Sequence, residues 1–311
     1  MTDRPLDLSQ ARVALIVNGK AGRQDADAQV AMIREKLAPL VGELALRPVR
    51  FGSRIGAAAR DAAQAGFDIV AALGGDGTQS AVAHALAGST AAMAVLPGGT
   101  FNYFARELGV ETMETALDAL AGGVVMRRDL GTVNGRVFIN NASFGLYPRI
   151  LQQREDIYRR WGRSRIAAYG SVLVALRDLR RPMVLTLMAD GAPRTFRTPL
   201  AFAARSAYQI EHLGLDGAEA VRAGHIALYI ARGNTRWALA LAALRLAFGA
   251  TVQGEDFDLV IADALQIETG KRRRLVALDG EKEAMTAPFK LEVMPGALRV
   301  LVPAPQGAAP A

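Results

Sequence analysis

The chain has 311 residues, a formal net charge of +7 and no cysteine. About half of it is hydrophobic (51%) and 22% is charged, the balance of a folded protein of one large or two ordinary domains, not of a disordered or fibrous chain. The missing thiols exclude disulfides, thiolate metal sites and cysteine nucleophiles, and fit a reducing compartment.

In chain order, the opening MTDRPLDLSQ is polar and lacks the apolar core of a signal peptide, so a cytoplasmic location is expected. ARVALIVNG reads as a buried strand ending at Asn18 and Gly19, and DADAQVAMIREKLAPLVG as a helix closed by Gly42. ELALRPVRF is a second strand, SRIGAAARDAAQAG a second helix and DIVAAL a third strand. TQSAVAHALAG is then helical, AAMAVLP extended, and TFNYFARELG begins another helix. Alternating apolar strands and helices predict a parallel sheet covered on both faces, with ligands at the strands' carboxyl ends.

After Arg128 the texture changes. RDLGTVNGRVFINNASFG predicts a hairpin through Asn134-Gly135, and a long helical stretch runs from Arg154 to Arg180. Strand-like runs follow: PMVLTLMADGAPRTFRTPLAFAARS with a turn at Asp190-Gly191, GHIALYIARG, FDLVIADALQIETG, RRLVALDGEKEAM and PFKLEVMPGALRVLVP. This half reads as a mostly antiparallel β domain with one or two helices, ending in the low-complexity tail PAPQGAAPA.

No run reaches the roughly 18 apolar residues of a membrane span. The nearest, WALALAALRLAFGATV, is interrupted by Arg245 and Gly249. The positive charge clusters in RRWGRSR, RDLRR and KRRR, which together favour an anionic partner. No zinc-finger spacing, RNP-like strand or basic zipper accompanies them, so a membrane surface is expected rather than nucleic acid. His84, on the helix after GGDGT, reads as a packed or surface histidine, and His212 and His225 show no metal-ligand spacing with each other or with acids.

Three glycine-rich turns fall at strand ends in the first half. VNGKAGR (Val17–Arg23) lets backbone N–H groups of Gly19 and its neighbours approach a ligand, with Lys20 and Arg23 adding positive charge. GGDGT spans Gly74, Gly75, Asp76, Gly77 and Thr78, and LPGGTFNYFAR spans Leu96–Arg106, where Thr100 or Asn102 is placed to cap the next helix. Each alone is an ordinary turn; three at strand ends describe a nucleotide-phosphate site. A P-loop, a G-x-G-x-x-G fingerprint and the protein-kinase motif set are absent. Near the C-terminus VALDGE presents Asp279 and Glu281 across a glycine, a pair suited to deprotonating an alcohol, although an Asp-Gly hairpin with a solvated glutamate looks the same.

GGDGT, LPGGTFNYFAR and VALDGE, with RRDLGTVNGRVFINNASFGL between, together resemble the diacylglycerol kinase catalytic-domain family, the bacterial lipid kinases related to sphingosine and ceramide kinases. GGDGT alone is shared with NAD kinases and phosphofructokinases; the combination is more specific. The resemblance implies an α/β nucleotide-binding domain over residues 1–130, a three-layer parallel sheet of NAD kinase/phosphofructokinase type, onto which residues near 300–311 pack back. A mostly antiparallel β-sandwich lipid-binding domain over 131–300 follows, with the active site in the cleft. It implies ATP and Mg²⁺, and γ-phosphate transfer to the hydroxyl of diacylglycerol or a similar lipid alcohol held at a membrane surface; a homodimer stands among the expectations. By the same resemblance Asn18, Gly22, Gly74–Thr78, Gly99, Thr100 and Asn102 hold the nucleotide, Glu281 is the base with Asp279 and Asp76 beside the chemistry, and Asp76 (through water) and Asp129 face the metal.

The chain also departs from that pattern. Asn18-Gly19-Lys20-Ala21-Gly22 replaces N-P-x-S-G, Ala81 stands where a glutamate is common, and Gly52 or Ser53 where a threonine is expected. Ala223 occupies the position of an aspartate of the family's structural Mg²⁺ site, with Asp216-Gly217 nearby. Two other readings accompany the lipid kinase: a soluble NAD kinase-like enzyme, and a non-catalytic lipid- or nucleotide-binding regulator.

Overall fold

A computed structural model of the protein describes residues 7–19, 23–99, 101–146, 182–189, 192–233 and 254–304. The expected helix over Arg154–Arg180, the RRWGRSR and RDLRR clusters, WALALAALRLAFGATV, the Asp190-Gly191 turn and the tail beyond Ala304 lie outside the described residues. The first half alternates strands and helices: β1 (Arg12–Asn18), α1 (Arg23–Leu37), β2 (Glu43–Val49), α2 (Ile55–Gln64), β3 (Ile69–Gly74), α3 (Asp76–Leu86), β4 (Ala92–Pro97), α4 (Tyr103–Glu107) and α5 (Met113–Gly122). Then come β5 (Val124–Val133), β6 (Arg136–Phe138), β7 (Asn141–Gly145), β8 (Met183–Ala189), β9 (Ala192–Thr198) and β10 (Leu200–Ala204). The rest comprises α6 (Ala207–His212), α7 (Ala218–Arg222), β11 (Ile226–Ala231), β12 (Phe257–Ala262), β13 (Ala264–Thr269), β14 (Arg273–Leu278), β15 (Glu281–Thr286) and β16 (Phe289–Val302).

The helices of the first half differ from the sequence reading in extent and in number. α1 stops at Leu37, not near Gly42, because Pro39 disfavours helical geometry at Ala38 and offers no N–H. α5 has no counterpart in the sequence reading; Thr112 and Thr115 cap it reciprocally through their side chains and backbone N–H groups.

The chain divides into two units, Met1–Leu130 with Met294–Ala311, and Gly131–Val293. In the first, parallel strands run in the order β2-β1-β3-β4, with β16 joining parallel to β4 at Val300 opposite Met93. Residues 13–17 of β1 and all of β3 are buried, so both sheet faces are covered. α2 packs on α3, and α1 on α5. From β1 the chain steps outward to β2 and then returns past β1 to β3, which makes the carboxyl ends of β1 and β3 the point where strand order reverses. Ligand crevices form at such points.

In the second unit, an antiparallel sheet in the order β12-β11-β10-β7-β14-β15 faces strands β9-β8-β13 and the first residues of β16. Phe138, Phe144, Leu187, Leu228, Ile267, Val276 and Phe289 fill the layer between, with Phe144 and Phe289 rings 5.2 Å apart. This is the expected sandwich. A second cluster, Ala204, Ala207, Ile210, Val221 and Tyr229 among it, seats α6 and α7 on the other face of the six-stranded sheet. No helix among the described residues is long and apolar enough to cross a membrane.

Candidate active site

The first unit gathers its glycine-rich turns at the strand-order reversal. Asn18 ends β1, and its Nδ2 donates to the Thr78 hydroxyl at 3.1 Å, tying β1 to the first turn of α3. Gly19 is anchored sideways, its N–H on the Val49 carbonyl at 3.1 Å. Lys20, Gly22 and Thr100 lie outside the described residues, as does the Arg23 side chain, although Arg23 opens α1.

The second and third turns touch backbone to backbone. Gly98 N–H donates to the Gly74 carbonyl at 3.0 Å, and a Cβ on Gly99 would lie 2.5 Å from the Gly75 Cα. No side chain fits at Gly99, which is why this stretch needs glycine. Gly74 is equally closed, its virtual Cβ 2.5 Å from the Thr78 hydroxyl. Gln79, wholly buried, donates from Nε2 to the Gly74 carbonyl at 3.1 Å. Neither apolar periodicity nor a known motif singles this glutamine out.

Asp76 joins the two turns. Its Oδ1 accepts the Tyr103 N–H at 2.7 Å and its Oδ2 the Asn102 N–H at 3.0 Å. Asn102 sits at φ +50° in the left-handed region, bracketed with Gly99: its Oδ1 accepts the Gly99 N–H at 3.0 Å and its Nδ2 donates to the Gly99 carbonyl at 2.9 Å. Asn102 holds the position before α4, as expected of a cap, yet its side chain makes no capping bond there. Asp76 supplies that acceptor from 26 residues away in sequence. Burial pushes the Asp76 carboxyl above its ordinary 3.8, against the pull of the Tyr103 and Asn102 N–H groups. The free start of α3, with Gly75 before it and Asp76 and Gly77 in its first turn, leaves orphan N–H groups and the positive end of an eleven-residue helix for an anion.

Asp129, on β5, is held elsewhere in this unit, its Oδ1 accepting the Gly296 N–H at 2.8 Å. The VALDGE segment forms the β14–β15 hairpin of the second unit. Leu278 pairs with Glu281, so Asp279 and Gly280 are the two turn residues, both left-handed at φ +47° and +88°. Here the structure separates the two acids. The Asp279 carboxylate accepts three backbone N–H groups: Ile139 at 2.9 Å, Asn140 at 2.8 Å and Asn141 at 3.0 Å. Asp279 N–H returns a bond to the Asn141 carbonyl at 2.9 Å. Asp279 therefore pins the turn entering β7, and Glu281 stands exposed as the first residue of β15.

Among the described residues no group of three or more His, Cys, Asp or Glu side chains is placed to hold a metal ion. His225 Nδ1 pairs with Asp263 Oδ1, and His212 stacks on Tyr208. Around Asp216-Gly217, Gly217 is left-handed at φ +105° and the Tyr229 hydroxyl donates to the Asp216 carbonyl at 2.5 Å. Ala223 closes α7.

Residues 12–133 match the diacylglycerol kinase catalytic domain, and residues 143–302 the YegS C-terminal NAD kinase beta sandwich-like domain. The chain is similar to a protein named probable lipid kinase YegS-like from Pseudomonas aeruginosa (strain UCBPP-PA14), 37% identical over 146 residues, 46% of this chain and 47% of that one. It is similar to a diacylglycerol kinase of Bacillus subtilis (strain 168), 35% identical over 138 residues, 43% of this chain and 46% of the other. The chain spans about half the length of the curated relatives it matches. In fold it is similar to a diacylglycerol kinase crystal structure from Bacillus anthracis str. Sterne, with a TM-score of 0.72 at 21% identity over 96% of this chain and 98% of that one.

Proposed function

The chain belongs to the diacylglycerol kinase catalytic-domain family, and from that premise we propose that it transfers the γ-phosphate of ATP to the hydroxyl of diacylglycerol or a similar lipid alcohol. What supports this most directly is the fusion of the two glycine turns by Asp76 beside the open start of α3. That arrangement brings backbone close to a polyphosphate while keeping side chains out. Asn18 and Thr78 complete the phosphate contacts from β1 and α3.

Glu281 is the acceptor's base in this reading. Its carboxylate takes the hydroxyl proton as the alcohol oxygen bonds to the γ-phosphorus, and the bond from that phosphorus to the β–γ bridging oxygen breaks to release ADP. Asp279 does not share that proton, because its oxygens are engaged by three N–H groups; it fixes the hairpin that carries Glu281. Both Asp76 oxygens and one Asp129 oxygen likewise accept backbone N–H groups. This donor set fits a magnesium ion brought by the nucleotide, with Asp76 reached through water, and does not fit a protein-built cage. When bound, such an ion neutralises charge on the phosphates. The acceptor partitions into bilayers, so the enzyme works at the inner face of a membrane.

Incubation of the purified protein with γ-labelled ATP and a panel of lipids tests the reading. A labelled diacylglycerol or related lipid alcohol is expected, and NAD should stay unlabelled. ATP binding with no labelled lipid would overturn it, and phosphorylated NAD would move the chain to the NAD kinase-like alternative.

A further inference from the structure

Pro48, Val17, Leu73 and Leu96 stand in one row across β2, β1, β3 and β4, so the turns after these strands leave the sheet side by side. Three of them are the glycine-rich turns. The fourth, after β2, carries Phe51, which keeps 56% of its surface in solvent. Its backbone is fixed: the Phe51 carbonyl accepts the Arg54 N–H at 2.9 Å, opening a 3-10 turn over Gly52–Arg54 that runs into α2. The Gly19 N–H on the Val49 carbonyl ties the same turn to the first glycine-rich one.

α2 packs on α3 so closely that a Cβ on Gly56 would stand 3.3 Å from the Ala81 carbonyl, so Phe51 and the start of α3 open on the same side of the sheet. Phe51 follows Pro48 by three residues, as Asp76 follows Leu73, and the two strands are two spacings apart, about 10 Å. A nucleotide with its phosphates on the orphan N–H groups of α3 holds its base, one ribose away, within reach of Phe51. The Arg50 guanidinium stands 5.8 Å over the Phe51 ring, and Arg50 has no ion-pair partner among the described residues. Gly52, beside the ring, has nothing within 4 Å of its virtual Cβ, so the turn borders open space. Phe101, also exposed at this edge, already has one face covered by Tyr103, the rings 5.7 Å apart and nearly parallel.

We propose that Phe51 is the platform on which the nucleotide's base stacks, with Arg50 at its rim, and that it makes the site favour purine over pyrimidine nucleoside triphosphates. Backbone N–H groups that meet phosphates cannot tell one nucleotide from another, because every nucleotide carries the same phosphates. Discrimination has to come from the base. A purine lays two fused rings on the phenyl face and a pyrimidine only one, so the stack is stronger for the purine. The proposal rests on the kinase reading for a nucleotide as the ligand, and names what that reading leaves open, the side chain that holds the base.

The test is calorimetric titration of the purified protein, in magnesium buffer, with ATP, UTP and inorganic tripolyphosphate. ATP should bind tightest and tripolyphosphate weakest. Phe51→Ala should weaken ATP about tenfold, UTP less and tripolyphosphate not at all, the loss of one base–aromatic stack. Phe51→Trp should bind ATP like the wild type, and ATP, unlike tripolyphosphate, should quench its added indole fluorescence above the signal of the two native tryptophans. Phe101→Ala should leave the order of the three ligands unchanged. An equal loss of all three ligands in Phe51→Ala, or an unchanged affinity for ATP, would overturn the proposal. So would a wild type that binds ATP and tripolyphosphate alike, or a loss of base preference in Phe101→Ala instead. Binding is read without an acceptor, so a failed lipid-kinase reading shows separately, as unlabelled lipid with a protein that still tells ATP from tripolyphosphate through Phe51.

Discussion

The Asp76 carboxylate is bonded to the backbone of Tyr103, 2.7 Å from Oδ1 to the amide nitrogen, so the acid in the glycine-rich turn faces the neighbouring turn. Its second oxygen takes the Asn102 N–H, which explains a negative charge in this glycine-rich turn: it clamps two loops. Asp76→Asn keeps the shape but sets an amide NH₂ against one of those N–H groups. ATP affinity should fall about tenfold, the equivalent of one buried donor left unsatisfied. Calorimetric titration with ATP measures it, and unchanged affinity would remove the clamp from the binding argument.

The same carboxylate carries a pH signature. Burial raises its pKa above 3.8 in the folded protein, so folding takes up a proton in the window just above that value. Its contribution to stability is full below 3.8 and is lost as pH rises through the elevated folded value. The wild type should therefore gain on Asp76→Asn as pH falls from neutral toward about 4, seen as a widening gap between urea midpoints. A gap that narrows on acidification would mean that the N–H bonds outweigh desolvation.

Asp279 and Glu281, two residues apart, should fail in opposite ways. Asp279→Ala strips the acceptor from three backbone N–H groups and removes a side chain tolerant of φ +47°. Its cost is expected at about 3 kcal/mol in urea unfolding. Glu281→Gln is exposed and should stay within about 0.5 kcal/mol of wild-type stability. Its lipid-phosphorylation rate should nonetheless drop more than about a hundredfold, as expected for a lost general base. A stable Asp279→Ala, or an active Glu281→Gln, would reverse the assignment.

Two glycines make a paired test of backbone contact. A methyl at Gly99 meets the Gly75 Cα at 2.5 Å, so Gly99→Ala must part the two turns. Loss of about 1–3 kcal/mol in stability is expected, together with weakened ATP binding. Gly122, the last residue of α5, has nothing within 4 Å of its virtual Cβ. Gly122→Ala should stabilise by about 0.4–1 kcal/mol and leave ATP binding alone. Thermal unfolding with and without ATP reads both.

Asn18→Ala removes the bond to the Thr78 hydroxyl. The KM for ATP should rise about fivefold, in line with about 1 kcal/mol for one neutral hydrogen bond, with the KM for lipid unchanged. A rise confined to the lipid would place Asn18 outside the nucleotide contacts.

The features legible in the sequence were those encoded over a few residues. Asn134-Gly135 and Asp279-Gly280 announce tight hairpins, and both occur with paired left-handed residues. The apolar runs from Val13 and Ile69 announce strands buried on both faces. What the acids do was not legible, because a carboxylate's work depends on which N–H groups it meets. Asp76 meets Tyr103 across 27 positions and Asp279 meets Asn140 across 139, far beyond any local pattern. The cap of α5 escaped for a smaller reason: Thr115 fills the place where a capping box usually shows Glu or Gln.

The last strand has a consequence for how the molecule comes into being. β16 lends Val300 to the edge of β4, and the Gly88 N–H and the Ala297 carbonyl meet at 2.7 Å. The ribosome delivers residues 294–302 only after every residue of the sandwich has emerged. The first unit is begun first and finished last, while the second is already complete. An N-terminal piece ending at Leu130 would expose the β4 edge to other chains, so the separable part of this protein is the segment in its middle.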